Sequence, residues 1–85
     1  MDMHEIEDSL LRVLQTYGVH FPAEQVNEIA DLLRAGEAGV GFENLCTQLY
    51  EYDVSVDDGT FHQLEVIGHQ MGIATKYWER LKSNS

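Results

Sequence analysis

The chain has 85 residues, of which 15 are Asp or Glu and five are Lys or Arg, a formal net charge of −10 with histidine neutral. A field of that sign on so short a chain repels phosphate backbones and anionic lipid, so direct nucleic-acid and membrane-surface binding are disfavoured and a cationic partner is attracted. A chain of this length holds one hydrophobic core, so residues 1–85 are read as a single domain with little room for a deep catalytic pocket. Hydrophobic residues make up 44% and charged residues 24%, a balance that supports a packed core despite the acidity. Cys46 is the single cysteine, which excludes an intrachain disulfide and suits a reducing compartment. The Met1-Asp2-Met3-His4-Glu5 start is acidic where a signal peptide is basic, and no apolar run approaches the roughly 20 residues of a membrane span. A cytoplasmic location is the expectation.

Ile6, Leu10, Val13, Leu14 and Tyr17 recur at intervals of three and four and predict a first helix over about 3–17. Gly18 follows it as a left-handed cap, and Val19, His20 and Phe21 lead to Pro22, which suits a helix's first turn because its missing N–H costs nothing there. A second helix over about 22–35 turns Val26, Ile29, Ala30 and Leu33 inward and ends at Gly36. Gly36 to Gly41 holds three glycines in six positions and reads as a turn. Phe42, Leu45, Cys46 and Leu49 then define a third helix over about 39–52. Tyr50, Tyr52, Val54 and Val56 alternate with Glu51, Asp53 and Ser55, the period of a strand. No partner strand is evident elsewhere in the chain, so a helix end followed by an extended loop is the expectation, with a short strand over 50–56 as the alternative.

Asp57 and Asp58 are good N-cap residues, and Phe61, Leu64, Ile67 and Met71 mark a fourth helix over about 58–71 that closes at Gly72. Trp78 and Leu81 lie on a last helix over about 75–82, followed by the polar tail Ser83-Asn84-Ser85. The fold class is therefore all-α: a small bundle of four main helices plus a short C-terminal helix, with short connections that favour antiparallel neighbours.

The placement of charge is more informative than its total. Arg12, Arg34, Lys76, Arg80 and Lys82 are the basic residues, so residues 35–75 carry none, while Glu37, Glu43, Glu51, Asp53, Asp57, Asp58 and Glu65 fall within that stretch. Five of these seven acids run from the third helix to the start of the fourth, with Tyr50 and Tyr52 among them. Residues two apart on a helix point about 200° apart, so one core cannot take both tyrosines, and one of them faces solvent or a partner. Exposed carboxylates steer association, and an aromatic at the centre of an interface supplies affinity. A solvated acidic face with both tyrosines partly covering the core is the plainer alternative.

Enzyme-like chemistry finds little footing. His62 and Glu65 are three apart and Glu65 and His69 four apart, on a shared helical side, but the paired-histidine zinc motif is absent and Cys46 belongs to an apolar stripe. Cys46, in an apolar helical stripe, is also expected to lack any basic neighbour that would lower its pKa and activate it as a nucleophile. The run Gly36-Glu37-Ala38-Gly39-Val40-Gly41 has no following lysine, and Glu37 repels phosphate, so it is a turn and not a phosphate loop. No catalytic residue, cofactor site or metal site is expected.

The segment Gly36-Glu37-Ala38-Gly39-Val40-Gly41-Phe42-Glu43-Asn44-Leu45-Cys46-Thr47-Gln48-Leu49-Tyr50-Glu51-Tyr52-Asp53-Val54, and more loosely Phe61, Leu64, Gly68, Met71 and Gly72, resembles the MafI-type immunity proteins. These small acidic proteins are made alongside polymorphic secreted toxins of bacterial competition, including contact-dependent growth inhibition. The resemblance covers about half the chain and implies a non-enzymatic antitoxin that binds a cognate toxin domain and blocks it. Several family toxins are ribonucleases, including the EndoU type, whose substrate demands a basic cleft that an acidic protein can occupy. By position Glu37, Glu43, Tyr50, Glu51, Tyr52 and Asp53 match the family segment, and surface chemistry selects Tyr50, Glu51, Tyr52 and Asp53, together with Asp57, as the expected partner-binding residues. Leu45 and Leu49 would be core, and Glu37 and Glu43 would serve the turn and helix start. The alternative is an acidic helical adaptor or chaperone for a basic protein unrelated to toxins.

Overall fold

Asp2 starts the first helix by a reciprocal cap: its Oδ1 accepts from the Glu5 backbone N–H at 2.9 Å, and the Glu5 carboxylate accepts from the Asp2 N–H at 3.4 Å. Two of the otherwise orphaned N–H groups are thereby satisfied. The computed structural model describes residues 1–84, with side chains as far as Leu81. Helix α1 spans Met3–Tyr17 and buries Ile6, Ser9, Leu10, Val13 and Leu14, the predicted face with Tyr17 half-covered at its edge.

Gly18 departs from expectation. Its φ of −63° is right-handed, and it opens a single 3₁₀ turn over Gly18–His20. Packing explains the glycine: a Cβ there would lie 3.3 Å from Val26 Cγ2 on the next helix. Pro22 is the residue before helix α2 (Ala23–Arg34), not its first residue, with φ −58° and ψ 143° and a carbonyl that accepts from Gln25 and Val26. Helix α2 buries Ile29, Ala30 and Leu33, and Val26 is half-covered. Gly36 takes the expected left-handed conformation, φ +81°. Gly36 N–H donates to Leu33 O and Glu37 N–H to Leu32 O, which closes the helix by two reversed hydrogen bonds.

Helix α3 (Ala38–Glu51) buries Ala38, Gly41, Phe42, Leu45, Cys46 and Leu49. Gly41 lets α2 approach: a Cβ there would stand 2.7 Å from Leu33 Cδ2. Helices α1, α2 and α3 pack on one another in all three pairings.

After α3 the chain forms a strand, β1 (Ser55–Asp57), where a loop was expected. Its partner is β2 (Lys82–Asn84), parallel, in the register Ser55↔Lys82, Val56↔Ser83 and Asp57↔Asn84. The C-terminal residues expected to be helix end and polar tail are therefore paired backbone. Parallel strands need a long crossover, and here it consists of helix α4 (Asp58–Gln70) and the single-turn helix α5 (Lys76–Glu79). The last helix is thus shorter than the predicted 75–82. Val54 and Val56 are buried, so the period-two pattern in this segment reports real strand burial.

Helix α4 buries Leu64, Ile67 and Gly68, and ends at Gly72 with φ +67° as expected. Trp78 of α5 lies against Gly68, so closely that a Cβ on Gly68 would stand 2.6 Å from Trp78 Cε3 and 2.7 Å from Cη2. The same indole meets Phe42 edge-on, with centroids 5.9 Å apart. This stack joins the α4–α5 half to the three-helix half. Among the described residues the chain is thus mostly helical, four main helices and a short fifth, with one two-stranded parallel ribbon added.

Candidate functional site

The candidate surface is built on how α3 ends. Tyr52 is its C-cap, and Asp53 follows in the left-handed conformation, φ +54°. Asp53 N–H donates to Tyr50 O at 3.1 Å and Val54 N–H to Leu49 O at 2.9 Å, the same double bond pattern that Gly36 and Gly72 close elsewhere. Aspartate is among the few residues other than glycine that tolerate this region. The cap is completed by apolar contact between buried residues, since Leu49 and Val54 line one crevice together. The turn presents Tyr50, Glu51, Tyr52 and Asp53 together as four consecutive exposed residues.

Both tyrosines are about half exposed, Tyr50 at 48% and Tyr52 at 47%, so the core takes neither fully and the expectation that at least one faces outward is met twice over. Each meets a residue distant in sequence, buried Phe21 as a support for Tyr52 and exposed Arg80 as a cover for Tyr50. The Tyr52 ring packs against buried Phe21 with centroids 6.1 Å apart at 39°. The Tyr50 ring carries the Arg80 guanidinium 4.0 Å above its centroid. The basic-free stretch of sequence is therefore not basic-free in space, because α5 returns Arg80 to the end of α3. Neither contact was legible, since nothing in the local pattern of Phe21 or Arg80 marks it as a neighbour of a tyrosine 31 or 30 positions away.

Asp57 stands apart in role. Its Oδ1 accepts from the Thr60 backbone N–H at 2.6 Å as the N-cap of α4, as its position predicts. Tyr17 adds a second tie, its hydroxyl donating to Asp57 Oδ2 at 3.2 Å and accepting from the Asp57 N–H at 3.1 Å. The Thr60 N–H holds the Asp57 carboxyl below the usual carboxylate range, with the Tyr17 hydroxyl acting in the same direction. The side chain remains exposed, but both its oxygens already serve the junction between α1, β1 and α4. Of the other acids near the site, Glu37 sits at the N-cap position of α3 without a side-chain cap bond, and Glu43 is half-covered on α3. Acid also covers α2, which turns Glu24, Glu28 and Asp31 outward.

The residues weighed for chemistry do not converge. Cys46 is fully buried, and its burial pushes the thiol up to about 12, outweighing the opposite pull of Arg80. His62 faces Glu65 at 3.5 Å, while His69 packs edge-on against Trp78 with centroids 5.2 Å apart. Among the described residues no three His, Cys, Asp or Glu side chains come together as a metal site would require. No helix is long and apolar enough to cross a membrane among the described residues.

Comparison with family models, curated proteins and solved structures finds no match to the chain.

Proposed function

We propose that the protein is an immunity-type inhibitor that binds a cognate toxin domain, a nuclease with a basic cleft, and blocks it without catalysis of its own. The observation that carries this reading is the pair of half-exposed tyrosines, Tyr52 packed on buried Phe21 and Tyr50 under Arg80, alternating with the carboxylates of Glu51 and Asp53 at one helix end. Large apolar side chains already held in place lose little conformational freedom on binding and supply affinity, and carboxylates around them raise the association rate with a cationic surface. The resemblance of residues 36–54 to MafI-type proteins supplies the kind of partner. Asp57, fixed as a cap, contributes its charge to the field more than its hydrogen-bonding capacity. The protein acts in the cytoplasm, where a nuclease toxin meets its substrate.

The test is copurification with the product of the neighbouring gene, followed by assay of that product's nuclease activity with and without stoichiometric protein. Glu51→Lys combined with Asp53→Asn is the diagnostic variant, because asparagine keeps the left-handed turn while removing the charge. It is expected to associate more slowly and with a weaker salt dependence. A neighbouring product that neither binds nor loses nuclease activity would remove the proposal.

A further inference from the structure

Arg80 lies on Tyr50 in a defined geometry. Its guanidinium carbon is 4.0 Å from the ring centroid, inside the range in which a cation is attracted to the negative face of an aromatic ring. The two side chains line a crevice at the C-terminal end of α3 with Leu49, Asp53, Val54 and Leu81. Leu49, Val54 and Leu81 are buried and form an apolar floor, while Tyr50, Asp53 and Arg80 are exposed at its rim. A flat aromatic face over an apolar floor, with a carboxylate alongside, suits a planar and weakly hydrated guanidinium better than a compact, strongly hydrated ammonium.

We infer that the Tyr50 face is a guanidinium-binding site that the chain fills with its own Arg80, and that an arginine of the basic partner takes Arg80's place. The inference rests on the reading of this surface as the partner's docking face. The fold permits the exchange. Arg80 is exposed and caps a helix of a single turn, whereas Trp78, two residues earlier, is locked between Gly68 and Phe42. Arg80 swings aside while its anchor stays fixed. Self-occupancy also sets a threshold: replacing one arginine by another gains little by itself, so an incoming segment holds the site only when it makes further contacts with Glu51, Tyr52 or Asp53. A lone surface arginine of an unrelated protein is rejected, which is specificity by competition.

The probe is a hexa-arginine peptide at low salt, with hexa-lysine for comparison, so the outcome does not depend on the toxin. Arg80→Gln is expected to bind hexa-arginine about three-fold more tightly than Arg34→Gln, a variant with the same net charge and no part in the stack. Adding Tyr50→Leu abolishes that gain, and hexa-lysine shows less of it. Trp78 near-UV circular dichroism verifies that the variants are folded. In the unmodified protein, NMR titration with hexa-arginine moves the Arg80 side-chain resonances towards solvent-exposed values while the Tyr50 ring stays perturbed. Equal affinities of Arg80→Gln and Arg34→Gln, a gain that survives Tyr50→Leu, or Arg80 resonances unmoved at saturation would each overturn the inference. Failure of toxin inhibition with these peptide results intact would instead count against the toxin as the partner.

Discussion

Replacing Gly68 by alanine adds one methyl group where, of all the glycines, an added Cβ has the least room. The new Cβ would stand 2.6 Å and 2.7 Å from two carbons of the Trp78 benzo ring, far inside van der Waals contact, and the indole is also packed edge-on with buried Phe42. Overpacking of this kind costs about 1–3 kcal/mol, against a gain of about 0.5–1 kcal/mol from placing alanine in a helix. Unfolding entropy of about 2.1 cal/mol/K per residue gives the domain about 0.18 kcal/mol/K, so a net loss near 1.5 kcal/mol lowers Tm by about 8 °C. Calorimetry and near-UV circular dichroism of Trp78 measure the shift and the loosening of the ring. Gly39→Ala is the control, since its Cβ meets nothing within 4 Å, and it leaves Tm unchanged or slightly raised. In a Trp78→Leu background the cost of Gly68→Ala disappears, because the atoms it strikes are gone. An unchanged Tm for Gly68→Ala, or the same cost in both backgrounds, would refute the reasoning.

The turn at Asp53 yields a second outcome: Asp53→Gly removes the left-handed strain of a residue bearing a Cβ and stabilises the fold by about 1 kcal/mol in urea unfolding, while the lost charge slows association with a basic partner. The caps set the acid limit of the fold. Asp2 and Asp57 are held below their ordinary pKa by the Glu5 and Thr60 N–H groups, so their stabilisation is complete above the unfolded carboxylate value of about 3.9 and is lost as pH falls through the lower folded values. Asp57→Asn still caps but does not titrate, and its Tm therefore falls less steeply than that of the unmodified protein between about pH 4 and pH 2. Cys46 stays protonated and covered at pH 8, so an aromatic disulfide reagent modifies it in urea and not in the folded protein.

The helical part of the fold was legible because its signals are local. Intervals of three and four placed the buried faces of α1 to α4, and Gly36 and Gly72 marked left-handed helix ends where the backbone has them. Gly18 misled, because a glycine chosen for closeness to Val26 looks in sequence like one chosen for its backbone freedom. The strand pattern of Val54 and Val56 was visible, but its partner was not. Lys82-Ser83-Asn84 has no alternation, and a parallel partner lies beyond a whole crossover, not across a short turn. At the candidate surface the carboxylates and tyrosines could be read from order alone. What surrounds them could not: Arg80 on Tyr50, Phe21 behind Tyr52 and Tyr17 on Asp57 are long-range contacts, the first and last set by how the two halves meet and the second by packing within the three-helix half.

The parallel ribbon also orders the assembly of this surface in time. Helix α3, its Asp53 turn and the tyrosines on it are closed by bonds between residues at most five apart, which form quickly once the helices collapse. The pairing of Ser55 with Lys82 must join residues 27 positions apart and bring α5 home behind it, a slower event because its entropy is lost before its contacts are gained. The Asp53 turn is therefore expected to close before Arg80 reaches Tyr50. If native-state opening follows the reverse order, the segment from α5 to β2 is expected to exchange its amide hydrogens ahead of the α3 end.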